Sequence, residues 1–307
     1  MRQKLKKAGC YLTIIVLLPY VVTVFINGPE IVSSSNVDKT HVTVNNETNK
    51  KNIELPIEDY CIGIMAKEIP ADYEKEALMA QAVLVRTDIY RKIETEGSDT
   101  VFEKSFYTQE QMEKSWGATR YSRYYNKLKS AWQETEGQIL MYEGTPAKTP
   151  FFRLSNGSTR DGKEVLGEEY PYLKPVDCPA DIEAEEQIQT ITLPTMDAEV
   201  LKCDSVGYVL QVRSGKEQIS GEEFRTNFKL PSSCFTLQNF NDKIRITTRG
   251  VGHGLGMSQN TANVLAKEGK DYKEILEYFF EGTSLQEVTD IVKTDPLTKR
   301  TGGITPS

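Results

Sequence analysis

The sequence predicts an α+β fold, in which a single mixed helix and strand domain carries a substrate groove and follows one N-terminal transmembrane helix. Three observations support this prediction. Helical and strand patterns occur together without a regular βαβ order. An uncharged run of residues lies near the N-terminus. Hydrophobic residues make up 38% of the 307-residue chain, which is sufficient for a sizeable core.

The composition excludes several functions. The formal net charge is −7, whereas phosphate binding needs clustered Lys and Arg, so we expect no nucleic-acid partner. The sequence has only two histidines, His41 and His253, too few for a conventional zinc enzyme site. Its five cysteines include no CxxC pair. Cys178, Cys203 and Cys234 are equally compatible with one extracellular disulfide and with buried free thiols.

The N-terminal residues predict a membrane anchor. Residues 1–7 are a cytoplasmic basic segment without acidic side chains, and residues 8–26 are uncharged. That run approaches the roughly 20 residues that a helix needs to cross the hydrocarbon core. Basic residues before it place the N-terminus inside and the remaining chain outside the cytoplasm. A cleaved signal peptide is the alternative, but no A-x-A-like site follows the run.

Three regions follow the anchor. Residues 27–51 are rich in Ser, Asn, Thr and Val without a helical period, which predicts a flexible stalk. Residues 52–290 form the predicted extracytoplasmic catalytic domain. Residues 291–307 are a polar tail, as is common at chain ends.

Two helices open the predicted domain. The first begins near Pro56, because proline suits a first helical turn, and its apolar residues share one face. It ends before Pro70, since a residue that precedes proline is disfavoured in the α region. The second helix covers residues 73–94 and is rich in good helix formers.

The rest of the domain mixes short strands with helices. Alternating or β-branched runs bounded by turn residues predict strands, and apolar residues at helical spacing predict helices. The predicted strands are 138–142, 149–154, a pair within 199–213, and 243–248. The predicted helices are 127–136, 258–268 and 272–280, and a glycine-rich loop covers 250–256.

Glu68 is the candidate general acid. It lies where the first helix ends and the chain turns towards the second, beside Met65 and Ile69. We expect these apolar neighbours to desolvate the carboxyl group partly, which raises a carboxyl pKa and makes a general acid usable near neutral pH.

Two further segments are candidates for the groove. The turn 155–159 can present the hydroxyl of Ser155 and the amide of Asn156 to a sugar. The loop 250–256 has alternating glycines, which allow a backbone to approach a ligand closely. This loop matches neither a G-x-G-x-x-G dinucleotide motif nor a P-loop, so we do not expect it to bind phosphate.

Together these segments resemble the stage II sporulation protein D family, and the resemblance extends over residues 56–280. Three motifs carry it, in this order: EIPADYEKEALMAQAVLVRT at 68–87, FRLSNGST at 152–159 and GVGHGLGMSQ at 250–259. The resemblance implies a membrane-anchored lytic transglycosylase of a spore-forming bacterium. Such a protein cleaves peptidoglycan glycan strands while a mother cell engulfs its forespore, together with an amidase and a membrane scaffold. We expect strands without stem peptides as the substrate, although the sequence does not show whether the peptides must be removed first.

The family's functional residues transfer to matching positions of this chain. Glu68 matches the catalytic acid, and Arg86 matches an arginine needed near the groove. The glycine-rich motif, for which we expect a structural or substrate-lining role, is matched by His253, Met257, Ser258 and Gln259.

The chain also departs from the family pattern. Some relatives hold a metal through Cys and His near the middle motif, but residues 154–157 contain neither. We therefore predict no metal and no cofactor. Asp88 occupies a position where an aromatic residue is more common, which affects the expected shape of the groove.

Two other functions compete with the transglycosylase. The first is a non-catalytic glycan-binding scaffold that recruits or activates a cell-wall amidase. In such a scaffold the sugars would stack on aromatic side chains, for which the candidates are Tyr107, Trp116, Tyr121, Tyr124 and Tyr125. The second is a cysteine hydrolase using Cys61 and His253, which is disfavoured because Cys61 lies on an apolar helix face.

Overall fold

The computed structural model describes residues 41–46, 51–97, 100–167 and 170–288, which belong to one compact unit. The predicted basic segment 1–7, the anchor 8–26 and the tail 291–307 lie outside these described residues. Within the described ranges, no helix has both the length and the apolar character needed to cross a membrane.

The described chain begins with a small sheet. Its strands are β1 (His41–Asn46), β2 (Lys51–Pro56) and β3 (Val101–Phe102), in the order β2–β1–β3. Strand β1 is antiparallel to β2 and parallel to β3. The side chains of Val42 and Val44 are 5% and 0% exposed. The stalk prediction is therefore wrong for residues 41–46, because alternating valines anchor this strand in the core.

The first two helices have the predicted positions. Helix α1 is Ile57–Glu68, and α2 is Lys75–Glu96. After α1 the backbone becomes extended at Ile69, with φ −123° and ψ 140°, because Pro70 disfavours the α region there. The alanines of α2 are buried, including Ala77, Ala80 and Ala82 at 0% exposure, so the helix packs closely on its neighbours.

The middle of the chain has more helix than predicted. It comprises α3 (Gln109–Trp116), α4 (Ala118–Glu134), β4 (Gln138–Tyr142), β5 (Thr145–Pro146), β6 (Phe151–Phe152), α5 (Gly162–Leu166) and α6 (Pro179–Ile182). Strand β4 has the predicted bounds, whereas the strand predicted over 149–154 is reduced to two residues. Pro150 precedes it and has no N–H with which to join a sheet.

A β-rich segment, residues 188–249, follows and has its own hydrophobic cluster. Its elements are β7 (Ile188–Pro194), β8 (Ala198–Cys203), β9 (Val209–Ser214), β10 (Glu217–Ser220), α7 (Gly221–Asn227), β11 (Phe235–Phe240) and β12 (Lys243–Arg249). They form two antiparallel sheets with the strand orders β10–β9–β8 and β11–β12–β7. Phe224, Val212 and Ile246, each 0% exposed, lie at the centre of this cluster.

The chain then returns to the larger cluster built around α1 and α2. Its last elements are β13 (Met257–Ser258), α8 (Gln259–Lys267), α9 (Tyr272–Phe279) and β14 (Ser284–Glu287). Strand β13 pairs in parallel with β6, and β14 pairs antiparallel with β4. The mixed helix and strand prediction is thus confirmed over the described residues, and the glycine-rich loop before β13 connects the two clusters.

Candidate active site

A cleft of about 260 Å³ lies where α1, α2 and the glycine-rich loop meet. Two of the residues predicted to act at the site, Glu68 and His253, line it. The complete lining is Glu68, Asp88, Arg91, Lys104, Lys148, Thr149, Pro150, Phe151 and His253. The cleft therefore combines carboxylates, cations and an imidazole in one space.

Glu68 reaches the cleft because it is the last residue of α1. The side chain is exposed, so the partial burial expected from Met65 and Ile69 is wrong. These two residues instead point into the core, at 0% and 2% exposure. Among the described residues no hydrogen bond or ion pair engages the Glu68 carboxylate, which leaves it free to bind a ligand.

His253 is half-buried in the wall of the cleft. Its Nδ1 accepts a hydrogen bond from the backbone N–H of Leu255 at 3.1 Å, so Nε2 carries the proton of the neutral ring. Burial lowers the pKa of His253 to about 4, against the smaller opposing effect of Glu222. The imidazole is therefore neutral at pH 7 and acts as a hydrogen-bonding group.

The glycines around His253 are required by close packing and by positive φ angles. Gly254 and Gly256 both have φ +80°. A Cβ at Gly254 would lie 2.5 Å from the ring of Tyr208, and one at Gly256 would lie 2.0 Å from the carbonyl oxygen of Pro150. The alternating glycines thus serve the packing of this loop against the protein.

A buried ion pair holds the same loop to the β-rich segment. Arg160 Nε lies 2.6 Å from the Oδ2 of Asp204, and their side chains are 2% and 0% exposed. Arg160 also donates from Nη1 to the carbonyl oxygen of His253 at 3.0 Å. Its backbone N–H donates to the carbonyl oxygen of Gly254 at 2.8 Å. Arg160 therefore fixes two successive carbonyl groups beside the cleft.

Asp181 connects the second and third sequence motifs, and sequence reasoning missed it. Its carboxylate accepts hydrogen bonds from the N–H of Ser155 (2.7 Å) and the hydroxyls of Ser258 (2.7 Å) and Thr261 (2.8 Å). Asp181, Ser155 and Ser258 are all 0% exposed. Ser155 and Ser258 were predicted to contact substrate, but the structure places both inside the protein, where they bind this carboxylate.

Arg86 is also inside the protein. It is 0% exposed, and its guanidinium donates to the carbonyl oxygens of Thr135 (2.7 Å) and Trp132 (2.9 Å). The same group lies 3.7 Å from the ring centroid of Trp132. The prediction that Arg86 binds substrate gains no support from this position, since the guanidinium joins α2 to the end of α4.

Gln259 and Asn156 likewise make contacts within the protein. Gln259 is 1% exposed and donates to Gln81 Oε1 at 3.0 Å, which links α8 to α2. Asn156 is half-buried and donates to the carbonyl oxygen of Val206 at 2.7 Å. Gln259 thus lies in the core, and Asn156 contacts the β-rich segment. The prediction that both residues bind substrate gains no support from these positions.

The structure also shows where the residues of the two competing functions lie, namely Cys61 for a cysteine hydrolase and the aromatic residues for a glycan-binding scaffold. Cys61 is completely buried in α1 and does not line the cleft, which contradicts a cysteine hydrolase. Among the described residues, Cys178, Cys203 and Cys234 are not joined to one another by a disulfide bond. Trp116, Tyr121 and Tyr124 are half-buried and pack on each other, with ring centroids 5.6–6.3 Å apart for the pairs that include Trp116.

Four charged residues of the cleft were not predicted as site residues: Asp88, Arg91, Lys104 and Lys148. Asp88 and Arg91 are three residues apart on α2, so the sequence places them on one helix face. No local pattern connects Lys104 and Lys148 to that face. Within the described ranges, no group of three or more His, Cys, Asp or Glu side chains is arranged to hold a metal ion.

Comparison with known proteins identifies the family. The family model described as stage II sporulation protein matches residues 45–142. Stage II sporulation protein D of Bacillus subtilis (strain 168) is 33% identical over 258 residues, which cover 76% of this chain and 75% of that protein. Its namesake in Bacillus amyloliquefaciens is 30% identical over 258 residues, with the same coverage of 76% and 75%.

A more distant relative has a different name. The amidase enhancer of Bacillus subtilis (strain 168) is 24% identical over 292 residues, which cover 73% of this chain and 40% of that protein. The similarity to the two stage II sporulation proteins D is stronger and extends over about three quarters of each chain. This protein therefore belongs to the stage II sporulation protein D family and is related to sporulation.

Proposed function

We propose that this protein is a peptidoglycan lytic transglycosylase that uses Glu68 as its single general acid and base. The observation that carries the proposal is the position of Glu68. Its carboxylate opens into the cleft, where no described residue binds it. A glycosidic oxygen placed in the cleft can therefore take the proton of Glu68 without competition from a protein partner.

One carboxyl group suffices for this reaction, whereas ordinary glycosidases use two. Glu68 protonates the oxygen that links MurNAc to GlcNAc, and the bond to the anomeric carbon breaks. The C6 hydroxyl of the same MurNAc attacks that carbon and returns its proton to Glu68. The product is a 1,6-anhydro-MurNAc end, and no water is consumed. Because the nucleophile belongs to the substrate, its attack is intramolecular and entropically favoured.

The proposal includes a place of action. Residues 8–26 anchor the chain in a membrane with the N-terminus in the cytoplasm, and the body works on the extracytoplasmic side. There it cleaves glycan strands without stem peptides during forespore engulfment. An amidase that removes the peptides and a membrane scaffold are its proposed partners. Support for this part comes from the uncharged N-terminal run and from the family.

The test compares the full chain with Glu68→Gln on purified glycan strands that lack stem peptides, with products identified by mass spectrometry. We expect anhydro-MurNAc ends from the unmodified chain and a loss of at least about 100-fold in the variant. Unchanged circular dichroism will show that the exposed substitution leaves the fold intact. Activity above about a tenth of the original would contradict the role of Glu68.

Asp88→Asn is the matched control, since Asp88 is the second carboxylate among the described residues that line the cleft. Its Oδ2 lies 3.6 Å from Lys104 Nζ, and a transglycosylase has no need of it as a nucleophile. Products one water heavier than the anhydro form, lost on Asp88→Asn, would instead indicate a two-carboxylate hydrolase.

A glycan-binding scaffold that activates an amidase is the second candidate. One observation favours it, namely the similarity to a protein named amidase enhancer. The measurement that separates the two functions is co-sedimentation with glycan strands. Binding without any cleavage product, and equal binding by Glu68→Gln, would favour the scaffold.

A further inference from the structure

More cationic than anionic side chains line the cleft, although the protein as a whole is acidic. The chain carries a formal net charge of −7, yet Arg91, Lys104 and Lys148 outnumber the carboxylates of Glu68 and Asp88 around the cleft. These cations come from α2, from the segment after β3, and from the segment before β6. Side chains from three separate parts of the chain thus converge on one space.

Lys104 already has a negative partner. Its Nζ lies 3.6 Å from the Oδ2 of Asp88, and it also lies 4.6 Å from the ring centroid of Phe151. Since an ion pair offsets most of the field of both charges, Lys104 and Asp88 leave little net charge for a ligand.

Arg91 and Lys148 differ from Lys104. Across the part of the chain that the structure describes, neither side chain forms an ion pair with a carboxylate. Both are half-buried, so solvent screens their charges less than it would at an open surface. A half-buried cation without a counter-ion favours binding of an anion, because such a ligand restores the interactions lost on burial.

Arg91 and Lys148 both interact with Tyr172. The backbone N–H of Lys148 donates to the phenolic oxygen of Tyr172 at 2.9 Å. Burial raises the pKa of Tyr172, and the nearby charge of Arg91 opposes that rise. Lys148 Nζ lies 5.4 Å from the ring centroid of Tyr170, which packs edge-on against Tyr172. Arg91 and Lys148 therefore both line the cleft and both interact with the pair Tyr170 and Tyr172.

We propose that Arg91 and Lys148 form a subsite that binds a carboxylate of the glycan beside the bond that Glu68 protonates. This inference rests on the proposed function, because it places a muramyl residue in the cleft. The hydroxyl and acetamido groups of the strand are neutral, whereas the lactyl group of a muramyl residue ends in a carboxyl group. That group is ionised when free and is a neutral amide when a stem peptide is attached.

The subsite thus makes the two cations the residues that distinguish a free muramyl carboxylate from a peptide-linked one. A guanidinium can bind both oxygens of a carboxylate at once, and the lysine adds a second positive charge. An amide at the same place offers one neutral oxygen, and it leaves the cations unpaired. The discrimination arises from charge and needs no steric barrier against the peptide.

The test measures binding by calorimetry with the full chain carrying Glu68→Gln, so that the ligand is not consumed. The ligands are glycan strands without stem peptides and the same strands after carbodiimide coupling to methylamine, which replaces each carboxylate by a neutral amide. We expect the free strands to bind about 10-fold to 100-fold more tightly, as charge-assisted hydrogen bonds of this kind predict.

Arg91→Gln and Lys148→Gln should each weaken binding of the free strands by about 10-fold and leave the amidated strands unaffected. Lys216→Gln removes an exposed cation in the turn between β9 and β10 and serves as the charge control, with no change expected. Equal affinity for the free and the amidated strands would overturn the proposal. So would variants that lose the same affinity for both kinds of strand. Arg91→Lys, which keeps the charge but loses the two-oxygen contact of the guanidinium, should restore part of the affinity if the variants are folded.

Peptide-bearing strands form a third ligand, since stem peptides also carry carboxylates. Tight binding of these strands that depends on Arg91 would assign the subsite to the peptide and overturn the lactyl assignment. A wild-type chain that prefers free carboxylates but releases no anhydro products would refute the transglycosylase and leave the subsite standing. If free and amidated strands release anhydro products equally, and Lys148→Gln does not change that release, the subsite alone would be refuted.

Discussion

Glu68 and Arg86 lie in the same sequence motif but have opposite environments. Glu68 is exposed at the end of α1, whereas Arg86 is completely buried in α2. A motif records that residue types occur together, and it does not distinguish a side chain that meets a ligand from one that supports the helix beneath it. Burial makes this distinction, and it separates the chemical role proposed for Glu68 from the structural contacts of Arg86.

Arg86→Lys is expected to lower the free energy of unfolding by about 2–4 kcal/mol, because a lysine cannot keep both carbonyl hydrogen bonds and the stacking on Trp132. Urea denaturation will measure it. Arg91→Lys is the control on the same helix, where a half-buried cation should cost no more than about 0.5 kcal/mol. Equal losses at the two positions would contradict the structural role of Arg86.

His253 should make stability depend on pH. An unfolded histidine titrates near pH 6.5, but burial lowers the pKa of His253 to about 4 in the folded protein. Between these values the unfolded chain binds a proton that the folded chain does not. The free energy of unfolding therefore decreases as the pH falls through this window, by up to roughly 3 kcal/mol from this group.

Urea unfolding at pH 7 and pH 4.5 will test this prediction. His253→Asn, whose amide oxygen can replace Nδ1 as the acceptor, should remove that part of the pH dependence. His41→Asn, at the exposed second histidine, should behave like the unmodified chain. If all three proteins lose the same stability, the imidazole is not buried in its neutral form.

Among the helices and strands, those with a clear apolar spacing were predicted most accurately. Helices α1, α2 and α9 and strand β4 were predicted nearly to their ends, because apolar spacing and prolines define them. Helix α3 was missed although Thr108 and Gln111 form a capping box, a signal that the sequence displays. The site was only partly predictable, since Asp181 joins two motifs through contacts distant along the chain.

Gly256→Ala tests the packing of the glycine-rich loop. The new Cβ would lie 2.0 Å from Pro150 O at φ +80°, so the free energy of unfolding should fall by roughly 3–5 kcal/mol. Gly282→Ala is the matched control, since it has φ +89° but nothing within 4 Å. It should cost only about 1–2 kcal/mol. Similar thermal shifts for both variants would show that the loop can move away from Pro150.

At the scale of the whole molecule, the body begins earlier than composition indicated. Polar residues around β1 resemble a linker, but Val42 and Val44 alternate with them and are buried. A chain that starts at residue 52 should therefore be less stable than one that starts at residue 37, by at least about 3 kcal/mol for two buried valines. Thermal unfolding of the two fragments checks this, and identical midpoints would refute it.

The ion pair between Arg160 and Asp204 has a dynamic consequence. It ties the His253 loop to the β-rich segment, whose hydrophobic cluster is separate from that of α1 and α2. A subglobal opening of this segment alone would release the loop while the two helices stay folded. Amide hydrogens of residues 250–256 should then exchange together with those of β8 and β9, and heat should unfold this segment before the core helices.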